Sequence, residues 1–399
     1  MDPGELKLLL LSFYYTPDIG PGPLRAKAMV DALAEAGDAQ LEIDVLTTQP
    51  NRYHSLNNNA PSLEQLGNVT VTRFWLPEHK SGMLDQAVAF RSFASQVLKT
   101  TKGKQWDVVI ATSSRLMTAT LGAWVTRRSG AALYLDVRDL FTDTMEDVLS
   151  KSPLRVLMPV FKMLEAFTFR SAKKINVVSA GFAPHIRSVA PTVALNEYTN
   201  GIDEEFLSAD FGSAEVHESR VPLVLYAGNI GDGQGLHRVV PEVAALMKEQ
   251  ANFRLIGDGG KRAELKVSLE QQGIKNVVLL DPMPRQSLFD QYRSADILFL
   301  HLNDYQAFHK VLPSKIFEYA ATGKPILAGV GGYAADFLRE KVSGVEVFEP
   351  CDAAAMQRSL YRLLSGPRMI DRSDFCARYL RKNIMREMAK DILAVGGGK

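Results

Sequence analysis

The chain has few cysteines, no long apolar run and no excess of charge of either sign. Its two cysteines, Cys351 and Cys376, have no His or Cys neighbour at metal-ligand spacing, so the sequence predicts neither a zinc site nor a disulfide framework. No stretch reaches the roughly 18 apolar residues that a membrane-spanning helix needs. The 46 basic and 45 acidic residues leave a net charge of +1, which gives no support for a nucleic-acid partner. We expect a reducing, cytoplasmic compartment and at most peripheral membrane contact.

What the chain has is a long alternation of strand-like and helix-like segments. In the first half this alternation predicts a parallel sheet covered by helices on both faces. The apolar run 6–15 is interpreted as the first buried strand, since acidic residues precede it and no signal-peptide cleavage site follows. The predicted strands lie near 6–15, 41–48, 69–76, 107–112, 131–136, 174–179 and 193–198, and the helices near 23–37, 84–101, 115–129, 153–172 and 181–188.

A second alternation of the same kind begins after a polar, weakly periodic segment at 208–221, where we place a domain boundary. At 399 residues the chain is long enough for two domains that each bury a core. The tail from about 371 is also predicted to be helical. The second set of strands lies near 222–227, 252–256, 277–280, 295–300, 325–330 and 345–348, and the helices near 235–249, 260–272, 286–293, 314–322, 333–341 and 352–365.

The segment VLPSKIFEYAATGKPI, residues 311–326, is the most informative one. A Pro-Ser pair favours a helix start, a lysine and a glutamate follow one turn apart, and a Gly-Lys-Pro run ends the helix. A helix start with a cation suits a phosphate, and a carboxylate one turn later can accept hydrogen bonds from vicinal hydroxyls. Phosphate with ribose indicates a nucleotide, although an ordinary capped helix shows the same pattern. The residues concerned are Pro313, Ser314, Lys315 and Glu318.

This segment resembles the donor-binding signature of GT-B-fold retaining glycosyltransferases of family four, in the branch that writes it PSK-[IL]-FEY-x-A-x-G-[KR]-P. The resemblance implies an α/β protein whose two Rossmann-like domains have parallel sheets facing across a cleft. It implies an N-terminal acceptor domain at 1–207, a C-terminal nucleotide-sugar donor domain at 208–370, and a helix at 371–399 that crosses back to the first domain. The nucleotide sugar is then a co-substrate, and no metal ion or other cofactor is expected.

A Gly- and Pro-rich loop follows the first predicted strand and leads into a helix that carries Arg25 and Lys27. Small residues there let the backbone approach a ligand closely, although a plain turn explains the composition as well. Family-four enzymes have a Gly-rich loop at this place beneath the donor sugar and diphosphate. The resemblance therefore implies donor contacts at Gly20 and Gly22.

The run YLDVRDLF, residues 134–141, ends a predicted strand with two acids and an arginine. Ligand sites of α/β proteins gather at the carboxyl ends of strands, but Asp136 or Asp139 could equally cap a helix or pair with Arg138. Similar enzymes carry an Arg-Asp-Leu-Trp-Pro version of this motif. The resemblance implies a catalytic, acceptor-side role for Arg138 and Asp139.

Two Gly-rich loops in the second half also match the family. YAGNIGDGQGL, residues 226–236, resembles its first donor-domain loop, which implies that Gly228 and Asn229 lie near the diphosphate, although a Gly-rich turn has the same composition. LIGDGGKR, residues 255–262, puts Lys261 and Arg262 at a helix start. Cations there would neutralise charge on a leaving nucleotide, whereas solvated surface charges are the ordinary alternative. The resemblance favours donor binding by both, with a catalytic role for Lys261.

The chain departs from the family pattern in two places. Most family-four enzymes have two glutamates in this motif, and here Lys310 stands where the first is expected, while Glu318 occupies the second position. His309 and Lys310 are candidates to replace the missing contacts. The family's usual histidine is also not evident, because Thr112–Arg115 stands there. Retaining transfer is thought to proceed by same-face attack in which the departing phosphate oxygen takes the proton, so no protein nucleophile is nominated.

A basic, strongly apolar segment covers residues 152–174, with five cations and one acid. Such a helix can lie on an anionic bilayer at the inner face of the cell membrane, and a helix buried against a sheet has the same composition. The branch resemblance implies a glycan or a polyprenyl-diphosphate-linked sugar as acceptor, in surface polysaccharide assembly, with a UDP-linked donor. The alternatives are a non-hydrolysing sugar-nucleotide 2-epimerase and a catalytically silent GT-B subunit.

Overall fold

The computed structural model describes residues 6–18, 20–37, 41–51, 60–77, 83–113, 115–149, 153–212 and 220–397. Contacts divide the chain into two compact units, the first formed by Met1–Asn200 with Arg381–Lys399 and the second by Gly201–Leu380. The sequence placed these divisions after residues 207 and 370. Much of the segment 208–221, on which the first of them rested, lies outside the described residues.

Within its described residues, the first unit holds an eight-stranded sheet of order β3-β4-β2-β1-β5-β6-β7-β8. Every neighbouring pair is parallel except β3 with β4. The edge strand β3 was not predicted, because its sequence LEQL is short, polar and mostly exposed. The strands are β1 Leu6–Leu11, β2 Leu41–Thr48, β3 Leu63–Leu66, β4 Val69–Phe74, β5 Val108–Thr112, β6 Ala132–Val137, β7 Lys174–Val177 and β8 Ala194–Glu197.

Helices connect these strands, as the alternation predicted. One helix, α4, was not predicted, because its residues directly follow a strand end that had been interpreted as a site motif. The helix predicted at 153–172 is a short 3₁₀ helix, Pro153–Leu157, that continues into α5. The helices are α1 Pro21–Ala36, α2 Met83–Thr100, α3 Leu116–Ser129, α4 Phe141–Val148, α5 Met158–Ser171 and α6 Ala183–Val189.

The second unit holds a six-stranded parallel sheet of order β11-β10-β9-β12-β13-β14 within the described residues. Its strands are β9 Leu223–Ala227, β10 Asn252–Ile256, β11 Val277–Leu280, β12 Ile297–His301, β13 Ile326–Gly329 and β14 Val345–Phe348. Its helices are α7 Glu204–Ser208, α8 Leu236–Leu246, α9 Arg262–Gln271, α10 Arg285–Ser294, α11 Lys315–Ala321, α12 Gly332–Lys341, α13 Ala353–Leu364 and α14 Ser373–Arg378.

The strands of the second unit bury both faces. Val224 and Tyr226 join one apolar cluster, while Leu225 and Ala227 of the same strand join the cluster on the other face. Since successive side chains of a strand point to opposite faces, this division shows helices packed on each side of the sheet. The central strands β9, β12 and β13 therefore consist of nearly continuous apolar runs, which is the pattern that made them predictable.

The last helix, α15 Arg381–Gly396, belongs to the first unit. Its residues Met385, Met388 and Ile392 are fully buried and join the core cluster that contains Leu8 and Ile110 of the first sheet. Among the described residues, no helix is long and apolar enough to span a bilayer.

Both sheets reverse their strand order beside the first strand of the unit, between β1 and β5 in one and between β9 and β12 in the other. The carboxyl ends of parallel strands on either side of such a reversal leave a crevice, which is where open α/β sheets bind ligands. The loops at these ends are therefore the places to look for a site in each unit.

Candidate functional site

In the second unit, the glycine loop after β9 lies directly against Lys315. A Cβ added to Gly228 would lie 3.2 Å from Cε of Lys315 and 3.0 Å from the hydroxyl of Tyr226. The next loop packs on the first one, since a Cβ at Gly257 would come within 1.8 Å of the carbonyl oxygen of Gly228. Gly257 has a φ of +147°, a conformation that side chains disfavour, so both its space and its backbone require glycine.

Lys315 and Glu318 form an ion pair at the start of α11, with Nζ 3.2 Å from Oε2. Both side chains are largely buried. Burial lowers the pKa of Lys315, but the attraction of Glu318, followed by the nearby hydroxyls of Tyr292, Tyr319 and Tyr226, more than offsets it, so the pKa is raised well above its usual value. Lys315 is therefore a permanent cation, and its three tyrosine neighbours were not predicted.

Lys261 also contacts the glycine loop. Its backbone N–H donates to the carbonyl of Ile230 at 3.0 Å, and its Nζ lies 2.6 Å from Glu264 and 4.0 Å from Asp232. A hydrogen bond with Glu264 raises the pKa of Lys261. The predicted Asn229 lies within this loop and donates to Gln234 at 2.7 Å. Two lysines thus contact one backbone loop, within which Asn229 bonds to Gln234.

The other predicted donor-side residues have different neighbours. Arg262 donates to Asp281 at 2.7 Å, the acid of the loop that follows β11. Pro313 and Ser314 directly precede α11, and the hydroxyl of Ser314 makes no capping hydrogen bond. Their roles toward a donor stay predictions.

The loop after β12 clamps the glycine loop through Asn303. This buried residue donates twice to the loop, from its backbone N to the carbonyl of Gly233 at 2.8 Å and from its side chain to the carbonyl of Asp232 at 2.9 Å. Tyr305 donates to the carboxylate of Asp232 at 2.6 Å. The glycine loop is therefore in contact with three segments of the chain: the start of α11, the loop after β10 and the loop after β12.

Lys310 ends a short 3₁₀ helix, Gln306–Lys310, and is partly buried. Beside it, Nε2 of His309 lies 3.0 Å from a carboxylate oxygen of Asp304, and the ring packs against Gly331. Whether these side chains replace contacts of the absent first glutamate stays a prediction.

His301, at the end of β12, is a site residue that the sequence analysis missed. Its Nδ1 lies 2.6 Å from the carbonyl of Gln234, and its Nε2 accepts the backbone N–H of Cys351 at 2.9 Å. A carbonyl can only accept, so Nδ1 carries the proton and the ring is neutral. Burial lowers the pKa of His301 to about 4. The available signal was a single histidine that ends an otherwise apolar strand.

In the first unit, the predicted residues Gly22 and Arg138 come together. A Cβ on Gly22 would lie 2.7 Å from a guanidinium nitrogen of Arg138, so a side chain at Gly22 would displace the end of this arginine. Gly20 precedes α1 with a φ of +144°. Asp139 is exposed after the end of β6.

Asp136 is part of a buried structural pair. Its carboxylate accepts two hydrogen bonds from Arg25, at 2.8 and 2.9 Å, and a third from Asn176 at 2.7 Å. Burial raises the pKa of Asp136, but its interactions with Arg25 outweigh that effect and hold the pKa below its usual value. The partner left open by the sequence is thus Arg25 rather than Arg138.

Sequence comparison assigns both halves of the chain. Residues 212–382 match the family model of glycosyl transferases group 1, and residues 25–192 match that of the glycosyl transferase 4-like domain. Both are models of glycosyl transferases, and together they cover most of the chain. One relative of this chain is WcaI of Escherichia coli (strain K12), described provisionally as a colanic acid biosynthesis glycosyl transferase, which is 29% identical over 175 residues. That alignment covers 43% of this chain and 42% of WcaI, so the chain is matched to less than half the length of the relative.

Solved structures show that the chain has the GT-B fold, which confirms the predicted fold class. Sucrose-phosphate synthase from Thermosynechococcus elongatus matches with a TM-score of 0.66 at 16% identity, over 98% of this chain and 96% of that one. HepE of Anabaena in complex with UDP-glucose matches with a TM-score of 0.63 at 15% identity, over 98% of this chain and 97% of that one. WaaG, a glycosyltransferase involved in lipopolysaccharide biosynthesis, matches with a TM-score of 0.59 at 13% identity, over 98% of this chain and 97% of that one.

The described residues contain no group of three or more His, Cys, Asp or Glu side chains placed to hold a metal ion.

Proposed function

We propose that the chain is a retaining glycosyltransferase that uses a nucleotide diphosphate sugar, UDP-linked, without a metal ion. The observation that carries this proposal is the glycine loop of residues 228–235 with Lys315 against Gly228 and Lys261 bonded to Ile230. Two cations beside backbone amides suit a diphosphate, and Glu318, one turn into α11, suits the ribose hydroxyls. The structurally similar HepE of Anabaena was solved in complex with UDP-glucose, which supports a UDP donor here.

In the proposed reaction, the acceptor hydroxyl oxygen forms a bond to the anomeric carbon as the bond from that carbon to the β-phosphate oxygen breaks. Attack on the face that the phosphate leaves retains the anomeric configuration. The hydroxyl proton passes to the departing phosphate oxygen, and the products are the new glycoside and UDP. Negative charge grows on the departing phosphate in the transition state. Lys261 and Lys315 would stabilise this charge and so lower the barrier.

The proposed acceptor is a glycan or a polyprenyl-diphosphate-linked sugar in surface polysaccharide assembly, reached by peripheral contact with an anionic membrane. The resemblance to WcaI and WaaG, both named for surface polysaccharides, supports this class of acceptor. Arg138 and Asp139, which follow β6 in the first unit, are the proposed acceptor-side residues.

The test is thermal unfolding of the protein with UDP, GDP, dTDP and CMP, in the presence and absence of a metal chelator. A ligand that binds the folded state alone raises the melting temperature, and at one hundred times its dissociation constant the gain is about 2.7 kcal/mol. We expect UDP to stabilise the protein selectively, with or without the chelator. No shift with any nucleotide would overturn the proposal and favour the silent subunit.

A further inference from the structure

The first unit exposes a group of large apolar side chains at the start of α5. These side chains belong to the 3₁₀ helix before α5 and to its first two turns, and we call them, with their neighbours on α3, the α5 surface. Soluble monomers rarely expose a contiguous apolar group of this kind without a partner. The exposed fractions are 40% for Leu154, 76% for Val156, 40% for Leu157, 47% for Val160 and 64% for Met163.

The exposed side chains follow one stripe of the helix. Val160, Met163 and Phe167 are spaced three or four residues apart and so lie on one face, and Arg170 continues that face. The opposite face, with Thr168 and Phe169, is buried in the unit. One face of the helix is thus covered by protein, and an apolar stripe on the other face is exposed.

The neighbouring helix α3 extends the α5 surface. On the buried face of α5, Thr120 of α3 lies 2.9 Å from Thr168. On the exposed stripe, the guanidinium of Arg127 lies 5.4 Å from the ring centre of Phe167. Trp124 falls between these two contacts on the same face of α3 and is 51% exposed. An exposed tryptophan beside arginines is typical of side chains at the boundary between lipid and water.

The charges of the α5 surface are mostly positive. Arg155, Lys162 and Arg170 are exposed, while the one acid of the segment, Glu165, is buried and bonded to Thr142 at 2.6 Å and to His185 at 2.9 Å. Lys162 pairs with an acid on the surface, Glu146 of α4. Lysine is depleted in protein interfaces, whereas apolar side chains interleaved with cations suit an anionic bilayer.

We propose that the α5 surface docks the protein on an anionic phospholipid bilayer. Val156, Val160 and Met163 enter the boundary of the acyl chains, and Arg155, Lys162 and Arg170 contact lipid phosphates. The biological role of this docking rests on the proposed function, since the proposed lipid-linked acceptor lies in the same membrane. The docking itself does not depend on nucleotide or acceptor binding.

The experiment is co-sedimentation of the full chain with vesicles of phosphatidylcholine, with and without phosphatidylglycerol, at low and high salt. We expect binding to the anionic vesicles that weakens as salt rises. The double variant V156S/M163S should bind about tenfold more weakly or worse, because two apolar side chains no longer enter the bilayer. The double variant R155Q/K162Q should lose about tenfold on anionic vesicles.

A matched control is V267S/V278S, which removes two valines that are 49% and 50% exposed in the second unit and should leave vesicle binding unchanged. Melting temperature and UDP stabilisation should be alike in all variants, so a failure of the proposed function and a failure of docking give different results. Absence of binding by the wild-type chain, or equal binding by V156S/M163S, would overturn the inference. So would a loss of self-association in V156S/M163S, since a second copy would then cover the surface.

Discussion

At the scale of single residues, His301 shows how neighbours select one protonation state of a buried side chain. It donates to a carbonyl through Nδ1 and accepts a backbone N–H through Nε2, so both ring nitrogens are used only in the neutral form. Its partners belong to the glycine loop after β9 and to the turn after β14. His301 therefore acts as a positioning residue that holds the candidate donor loop, and protonation would break one of its two bonds.

This arrangement predicts a pH dependence of stability. Folding lowers the pKa of His301 from its ordinary value near 6.5 to about 4, so its contribution to the free energy of unfolding is complete above about pH 6.5. That contribution is lost as the pH falls from about 6.5 toward 4, because the unfolded chain then binds a proton that the folded chain does not. Between about pH 7 and pH 5 the wild-type chain should lose about 2 kcal/mol more than His301→Gln. Chemical denaturation at both pH values measures the difference. His309→Gln, a change at a partly exposed histidine, should keep the wild-type loss, and identical losses in all three proteins would contradict the prediction.

A second prediction at this scale concerns Glu318. Replacing it by Ala should weaken UDP binding roughly 10- to 100-fold, because the hydrogen bonds that the ribose hydroxyls donate to its carboxylate are lost. Glu318→Gln keeps an acceptor and should lose less. The measurement is isothermal titration with UDP. The control is Glu270→Ala, which removes an exposed glutamate of α9, and equal affinities of the Glu318 and Glu270 variants would exclude the proposed donor site.

At the scale of elements, the pair of Arg25 and Asp136 joins α1 to β6. Arg25 also donates to the carbonyls of Thr199 at 2.6 Å and Tyr198 at 2.9 Å, just before the end of the first stretch of the unit. Asn176 of β7 completes the group. One buried guanidinium thus ties a helix, two strands and the segment after β8 into one structure.

The two acids of the YLDVRDLF motif should therefore respond oppositely to substitution. Asp136→Ala leaves Arg25 as an uncompensated buried charge and should cost about 3–5 kcal/mol of the free energy of unfolding. Asp139→Ala removes an exposed side chain and should cost about 1 kcal/mol or less, while it lowers the transfer rate if Asp139 serves the acceptor. Urea denaturation of both variants tests this pair. Equal destabilisation would show that Asp139 is a structural residue.

Most elements were predictable, and the exceptions have physical reasons. Parallel strands buried on both faces consist of apolar runs, so β9 and β13 were found within one residue or so of their ends. The edge strand β3 and the short helix α4 lack such a pattern. For the segment around α5, composition left a buried helix and a membrane helix open, because the same side chains suit both. Exposure of Val156 and Met163 became known only from the fold.

At the scale of the whole molecule, the first unit is built from two separate stretches of chain. α15 supplies core residues to a sheet whose strands all lie before residue 200. The second unit, Gly201–Leu380, is continuous and has its own clusters on both faces of its sheet. The two units should therefore differ in how they tolerate truncation.

Deletion of residues 381–399 should unfold the first unit and spare the second. The deletion removes Met385, Met388 and Ile392 from the core, which exposes apolar surface of the sheet and costs several kcal/mol. Hydrogen exchange with mass spectrometry should show loss of protection in the strands of the first unit, β1 to β8, and retained protection in those of the second. The matched fragment 201–380 should melt cooperatively and be stabilised by UDP. A cooperative transition of the fragment 1–200 would contradict the prediction.

The sequence by itself determined the two α/β halves and the positions of the glycine loops, since these depend on local patterns of apolar runs, glycines and charges. The tertiary structure alone decided that Asp136 pairs with Arg25, that His301 joins two loops, and that the apolar side chains before and within α5 face outward. Those three facts depend on which distant residues become neighbours. The sequence gives the chemistry of each side chain, whereas its neighbours are set by the tertiary structure, which brings residues far apart in the chain into contact.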